Sequence, residues 1–474
     1  MNKNDVVRDL RKIVGSGNIE DDELILKLYT RSASNIDGSA IAVVFPRSSE
    51  EVSNIVRYCY KNDIKIYPQG SASELVGSST PYSDGIVLSF EKMNKVKEVS
   101  ILDSYVITEP GIRLFELNQL LAKYGYMFPV DPASVKSASV GGAINNDSGG
   151  MMGARYGTVK NWVLELELVI PDEHGTILRV GSKTMKYRGG YDLVRLIVGS
   201  EGTLAITTSA TLRITPIPEN IVTIGGFFQD MRDLMETVID VKTKGIELFV
   251  MEFIDDKTVE SACRTMNLKI KGEGHYLLTS IAVAREASER VLSTLESLYR
   301  SHNVVQLYKA RSQEEAEKMG LLDIRRALYP LAMKIAHESR RDPRSKMFVE
   351  MEDISVPPSK LIEAVNRLRS LEASFGIPMV IGGHVGDGNI HPIVWVEETD
   401  RDKLKTFYEM IKEIRRIGTE LGGTFSSEHG VGIKKKERLV EEFEFKKSLK
   451  SLEVMKEVKK IFDPKGILNP GKMF

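Results

Sequence analysis

Two prolines set two residues apart, Pro216 and Pro218, close the stretch Thr211-Leu212-Arg213-Ile214-Thr215 and divide the chain into parts with different rhythms. Proline has no N–H to give a ladder, so a strand running into such a pair has to end there. Before the pair, short strands and helices alternate. After it, apolar residues recur at helical spacing over longer runs. The 474 residues are also too many for one core. The expected fold class is α+β, with residues 1–215 as one domain and 216–421 as a second. Residues 422–474 are too few to fold alone and should return to one of them.

In the first part, Ser48-Ser49-Glu50-Glu51 is a capping box that opens a helix to about Asn62. Strands are expected at 64–67, stopped by Pro68, and at 85–88, 105–108, 161–170 and 176–180. A helix over 114–124 should end at Gly125. Long helices are expected near 231–244, 284–301, 357–375 and 402–421.

A net charge of −1, from 65 basic and 66 acidic residues, gives no field that would draw the chain to nucleic acid or an anionic membrane. The start, Met1-Asn2-Lys3-Asn4-Asp5, leads into a charged amphipathic helix rather than an apolar signal core. No apolar run reaches the ~18 residues of a membrane span. A cytoplasmic location is the default, with peripheral membrane association left open. Cys59 and Cys263 are too few and too far apart for a cysteine-held metal or iron–sulfur site. Cys59 falls in a helical pattern and reads as a small buried hydrophobe.

Two of the seven histidines bracket Gly382-Gly383-His384-Val385-Gly386-Asp387-Gly388-Asn389-Ile390-His391. Asp-Gly between short apolar segments predicts a two-residue type I′ turn. That turn would set Gly386 opposite Asn389, Val385 opposite Ile390 and His384 opposite His391. Imidazoles so paired can share one divalent cation, or can be ordinary buried strand histidines. Two ligands do not close a site. Downstream, Gly422-Gly423-Thr424-Phe425-Ser426-Ser427-Glu428-His429-Gly430 places an acid and an imidazole side by side, and adjacent extended residues face opposite ways.

Three glycine-rich loops mark the first domain: 68–79, 139–150 and 198–204. None matches a dinucleotide fingerprint or a P-loop, yet three in one domain favour a large cofactor with a pyrophosphate. The segments "PQGSASELVGSSTP", "DPASVKSASVGGAINNDSGGMMGARYGTVKNWVLELELVIPDEHG", "GYDLVRLIVGSEGTLAI", "GGHVGDGNIHP", "GGTFSSEHGVGIKK" and "FDPKGILNPGKMF" occur in this order. Together they resemble the FAD-linked 2-hydroxyacid dehydrogenases of the vanillyl-alcohol oxidase / p-cresol methylhydroxylase superfamily. That group holds D-lactate dehydrogenases, the glycolate oxidase flavoprotein subunit and D-2-hydroxyglutarate dehydrogenases. The resemblance runs from about Tyr29 to Phe474.

The resemblance implies a two-subdomain FAD-binding domain of p-cresol methylhydroxylase type, an α+β cap domain, and a C-terminal segment returning to the first. Gly70, Ser71, Ala72, Ser73, Gly77 and Ser78 would wrap the FAD pyrophosphate. Asp131, Ser134, Ser139, Gly142, Asn146, Gly149, Glu201, Gly202, Ile206 and Asn469 would line the rest of the FAD site. His384, His391 and Glu428 would hold a divalent metal, Zn²⁺ by ligand type with Mn²⁺ and Fe²⁺ as alternatives. His429 would be the base, and Arg325, or else Arg326, would bind the substrate carboxylate. FAD should be non-covalent, since the loop lacks the histidine used for covalent attachment and neither cysteine matches the alternative position. Gln69, Ser71, Ala72, Glu74 and Ser78 depart from the usual, glycine-richer loop. An acidic Glu74 beside a pyrophosphate is unfavourable unless it points away, which implies weaker FAD binding or a different loop arrangement.

The reaction so implied is oxidation of a small 2-hydroxy acid, of the D-lactate or glycolate class, to the 2-oxo acid. Met351 stands where hydroxyglutarate-type relatives carry a lysine, which favours a monocarboxylate. The electron acceptor is unnamed: a quinone, a cytochrome, an electron-transfer flavoprotein or an iron–sulfur subunit would serve, and a homodimer is compatible with the sequence. The rival readings are an alkylglycerone-phosphate synthase, a flavin-free zinc hydrolase, and a non-catalytic relative. The first carries a run of histidines where this chain has Ser426-Ser427-Glu428-His429.

Overall fold

The computed structural model describes residues 2–474, which fall into two compact units. The first comprises residues 2–150, 157–217 and 428–474; the second comprises 151–156 and 218–427. Among the described residues, no helix is long and apolar enough to cross a membrane.

The first unit holds two main sheets. In the four-stranded one the order is Ile19–Glu20, Ala42–Val44, Gly85–Ser89, Lys65–Gln69, with the last three parallel. Helices Lys3–Val14 and Ser49–Lys61 cover it through Val6, Leu10, Val52, Ile55 and Cys59. Ser48 caps the second helix by accepting from Glu51 N at 3.2 Å, while the Glu51 carboxylate accepts from Arg47 N at 2.8 Å, one residue before the expected box partner. Cys59 is fully buried, which pushes its thiol pKa up.

Pro68 does not stop its strand: the ladder continues through Pro68↔Leu88 and Gln69↔Ser89. The strand is an edge strand of its sheet, and the missing N–H lies on the open side, where nothing in the sheet needs it. The C-terminal segment uses that same side, Ile66 N donating to Ile467 O and Asn469 N to Ile66 O, both at 2.8 Å. Residues 467–469 thus return to a strand some 400 positions earlier, about the full reach of the chain order.

The second sheet of this unit is antiparallel, in the order Val96–Ser100, Tyr105–Thr108, Ile206–Arg213, Val163–Val169, Ile177–Gly181.

The second unit is one antiparallel sheet in the order Gln306–Ala310, Asn220–Phe228, His275–Val283, Val250–Ile254, Met379–Gly383, Asn389–Glu397, Met347–Met351, with Ile354–Ser355 also paired to Asn389–Glu397. Helices Met231–Thr243, Ser288–Ser301, Leu361–Phe375 and Arg401–Glu420 pack on one face. Met251, Phe253, Met379, Ile381, Val394 and Val396 point into that layer. Strand alternation therefore turns Glu252, Gly382, His391 and Ile393 to the opposite face. Leu328, from helix Leu328–Glu338, lies over Gly382 there: a Cβ on Gly382 would come 2.7 Å from its Cδ2.

Candidate functional site

The two histidines of the second unit meet, though not through the expected turn. Gly382 pairs with His391 and Ile381 with Pro392, so residues 384–388 form a five-residue loop instead of a two-residue one. His384 O accepts from Asp387 N, Gly388 N and Asn389 N at 3.3, 3.2 and 3.1 Å. Of the two turn residues only Gly388 is left-handed, at φ +93°. The cause is tertiary. Lys242 Nζ donates to Gly386 O, and a Cβ on Gly388 would lie 2.0 Å from Val356 O. The imidazoles of His384 and His391 still stand edge to face with centroids 5.2 Å apart, and both are buried.

Continuing the register Phe253↔Gly383 by one step sets Glu252 opposite His384. Its carboxylate is 2.7 Å from His384 Nδ1 and also bonds Arg325 Nε. Arg325 Nη2 lies 3.3 Å from His384 Nε2. Burial alone would raise the Glu252 carboxyl, but the charges of His384 and Arg325 hold it below its usual range. Arg326 is exposed, so of the two sequence candidates only Arg325 joins this cluster. Asp353, fully buried, lies 3.9 Å from His391 Nδ1 through Oδ1. The same carboxylate accepts from Asn389 Nδ2 at 2.8 Å and from Ser427 N at 2.9 Å. Next to it, Glu352 takes a two-point ion pair from Arg415 at 2.6 and 2.7 Å.

Sequence reasoning missed Glu252 and Asp353. A signal existed for the first: Val250-Met251-Glu252-Phe253-Ile254 is a strand whose one polar residue breaks an apolar run. Asp353 sits in Glu350-Met351-Glu352-Asp353, an acidic strand end in which nothing local marks one carboxylate as buried.

In the first unit, four distant segments converge. The loop after Lys65–Gln69 carries Gly70 to Ser79. Ser139 caps helix Val140–Asn146, accepting from Gly142 N at 3.2 Å, and a Cβ on Gly70 would strike Ser139 Oγ at 2.1 Å. Ser78 Oγ donates to Asn146 Oδ1 at 3.2 Å, and Glu201 N to Asn145 O at 2.7 Å. Asn469 Nδ2 ties Ser78 O at 2.8 Å to Glu201 O at 2.6 Å. Asp131 O lies where a Cβ on Gly150, next to Gly149, would be, 2.0 Å away. Ser134 O accepts from Ala138 N at 2.7 Å and so turns the chain toward Ser139. Gly202 precedes strand Ile206–Arg213, with Ile206 buried.

Buried on these same segments, Asn145 Oδ1, Ser200 Oγ, Thr207 Oγ1 and Asn469 Oδ1 have no protein partner. Buried polar atoms are nearly always paired, so such a group fits a cofactor rich in hydrogen-bonding functions. Glu428 and His429 open the returning segment of this unit, the Glu428 carboxylate lying 2.8 Å from a Cβ placed on Gly149. Just beyond, Val431 N and Gly432 N donate to Glu201 at 2.6 and 2.8 Å.

A family model described as FAD linked oxidases, C-terminal domain, matches residues 217–473, and an FAD binding domain matches residues 40–181. The chain belongs to the FAD-linked oxidases. This oxidase is 32% identical to the glycolate oxidase subunit GlcD of Bacillus subtilis (strain 168), over 99% of this chain and 97% of the relative. It is 34% identical to a D-lactate dehydrogenase of Archaeoglobus fulgidus, over 91% and 90% of the two chains. The solved structure of p-cresol methylhydroxylase with substrate bound superposes with a TM-score of 0.76 over 99% of this chain and 96% of that one, at 16% identity. The FAD-linked oxidase therefore has the α+β, p-cresol methylhydroxylase type of fold that its sequence implies.

Glu201 gives this oxidase a pH signature. Burial pushes its carboxyl from 4.5 up to about 7, against the N–H bonds of Val431 and Gly432. Between those values the folded form binds the extra proton, so stability falls as pH rises through 7. The shift from 4.5 to about 7 corresponds to at most about 3 kcal/mol. Lys472, lowered by burial to about 8, acts with the opposite sign but at higher pH. Thermal melts from pH 5 to 7.5 should show the wild type losing stability relative to Glu201→Gln. Parallel curves would remove the assignment.

Proposed function

We propose that this FAD-linked oxidase converts a small 2-hydroxy acid of the D-lactate or glycolate class to its 2-oxo acid. The observation that carries the reading is the buried pair His384 and His391, backed by Glu252 and Arg325 on one sheet face. The names of the two relatives support the substrate class.

In this reading residues 1–215 with 422–474 are the FAD-binding domain and 216–421 the substrate domain. The loops around Gly70, Ser78, Ser139, Glu201 and Asn469 would hold FAD, which would supply the hydride acceptor at N5. His384, His391 and Glu428 would hold a divalent cation, Zn²⁺ by its nitrogen and oxygen donors, which would supply acidification of the substrate hydroxyl. The chemistry of the donors fits, for two imidazoles stand together with the Asp353 carboxylate beside one of them.

The chain's own groups do the rest. Arg325 binds the substrate carboxylate with the guanidinium nitrogens that Glu252 leaves to it. Glu252, as acceptor at His384 Nδ1, favours the tautomer with the proton on that nitrogen and fixes the ring's orientation. His429 takes the hydroxyl proton on an imidazole nitrogen as C2 gives up its hydride, so that the C–O bond becomes a carbonyl. Met351 pairs with Ile393 and so shares the face of His391. A second carboxylate reaching that position meets a thioether instead of a cation, which selects a monocarboxylate.

Anaerobic titration of the FAD-loaded enzyme with D- and L-lactate, glycolate and D-2-hydroxyglutarate tests this. D-lactate or glycolate should bleach the flavin band, 2-hydroxyglutarate should not, and chelation should slow the bleaching. A loaded enzyme that no 2-hydroxy acid bleaches sinks the substrate reading. Bleaching that survives complete metal removal sinks the role of the cation.

A further inference from the structure

Glu74 replaces a small residue in the loop assigned to the FAD pyrophosphate, and its carboxylate does not turn away from that loop. Oε2 accepts from Val76 N at 2.8 Å and from Gly77 N at 2.6 Å. Oε1 accepts from Ser79 N at 3.2 Å and Ser79 Oγ at 2.9 Å. One carboxylate thus draws on four donors of a single turn, with Gly77 held at φ +80° and Ala72 at φ +49° to aim them. Successive N–H groups arranged this way form an anion-binding concavity. Gly77 N–H is also among the groups that the pyrophosphate would use.

We propose that Glu74 is an internal anion that competes with the FAD pyrophosphate for the loop, so that this oxidase holds FAD in a readily exchanged form. The inference rests on the assignment of residues 70–78 to FAD. Two effects act in the same direction. A donor shared between a carboxylate and a phosphate serves neither fully. A like charge next to the pyrophosphate also disfavours its binding, in a place where Lys472 is the buried cation at hand. In the FAD-free protein the same four bonds brace the turn, so Glu74 favours that form twice over.

This makes a signature that a simple structural brace would not. FAD affinity is measured by flavin fluorescence on apoprotein of the wild type, Glu74→Ser and Glu74→Gln, together with melting of each apoprotein. Inorganic pyrophosphate serves as a second titrant. Glu74→Ser should bind FAD and pyrophosphate at least about tenfold more tightly, with Glu74→Gln between, while its apoprotein melts lower than the wild type. Equal or weaker FAD binding by both variants, with wild-type binding intact, overturns the proposal and leaves the FAD site standing. Failure of the wild type and both variants to take up FAD rejects the site assignment itself. Uptake by the variants alone supports competition most directly.

Discussion

Replacing His429 by asparagine should lower kcat on the 2-hydroxy acid by about 10²–10⁴-fold at neutral pH while FAD stays bound with an unchanged spectrum. Asparagine keeps the size and can accept a hydrogen bond, but it has no basic nitrogen to take the hydroxyl proton. The backbone that presents His429 is well held. Two and three residues on, Val431 N and Gly432 N are clamped by Glu201 at 2.6 and 2.8 Å. Gly430 turns the chain at φ +86°, where a Cβ would lie 2.7 Å from Glu201 Oε1. The substitution therefore removes a proton acceptor without loosening the segment. Because the loss is confined to the chemical step, kcat and kcat/KM should fall together. The residual rate should climb with pH as hydroxide replaces the base. Activity within tenfold of the wild type at pH 7 would assign the proton to another group.

Much of the fold was legible because its signals are local. The helices Met231–Thr243, Leu361–Phe375 and Arg401–Glu420 carry their apolar stripes in sequence, and the proline pair at 216 and 218 lies at the boundary between the units. What was misread depends on contacts from far away. Asp387-Gly388 suggests a two-residue turn, but Lys242 and Val356, distant in sequence, stretch the loop to five residues and shift the register by two residues. Pro68 looks like a stop until the sheet order shows its strand at an edge. Residues 151–156 lie in the midst of the first stretch yet pack with the second unit, which no local pattern announces. The site divides in the same way. His384 and His391 were visible as rare residues beside glycines. Glu252 was not, because its burial comes from residues around Arg325 and Leu328 some 70 positions on. Glu74 was recognised as out of place, but the four donors it collects appear only once the turn is folded.

Glu252→Ala should destabilise the second unit by about 3–5 kcal/mol, the usual result of removing one member of a buried ion pair. The carboxylate is 1% exposed and bonds two positive or potentially positive groups, Arg325 and His384. Deleting it leaves the guanidinium, itself only 12% exposed, facing an imidazole with no anion between them. The strand is central in its sheet, and Leu328 packs over Gly382 on the same face. For a unit of ~200 residues the loss corresponds to a fall of about 6–20 °C in the melting temperature. Glu252→Gln separates stability from function. Its amide oxygen can still accept from His384 Nδ1, so the melting point should fall by less. The charge that holds Arg325 and pairs with His384 is nonetheless gone, and in the proposed reading turnover should drop about 10–100-fold. If alanine melts within 2 °C of the wild type, as judged against the scale for ~200 residues, the cluster is solvated and Glu252 holds nothing in place. If glutamine keeps full turnover, the carboxylate is structural only, and the orientation of His384 has to come from its loop alone.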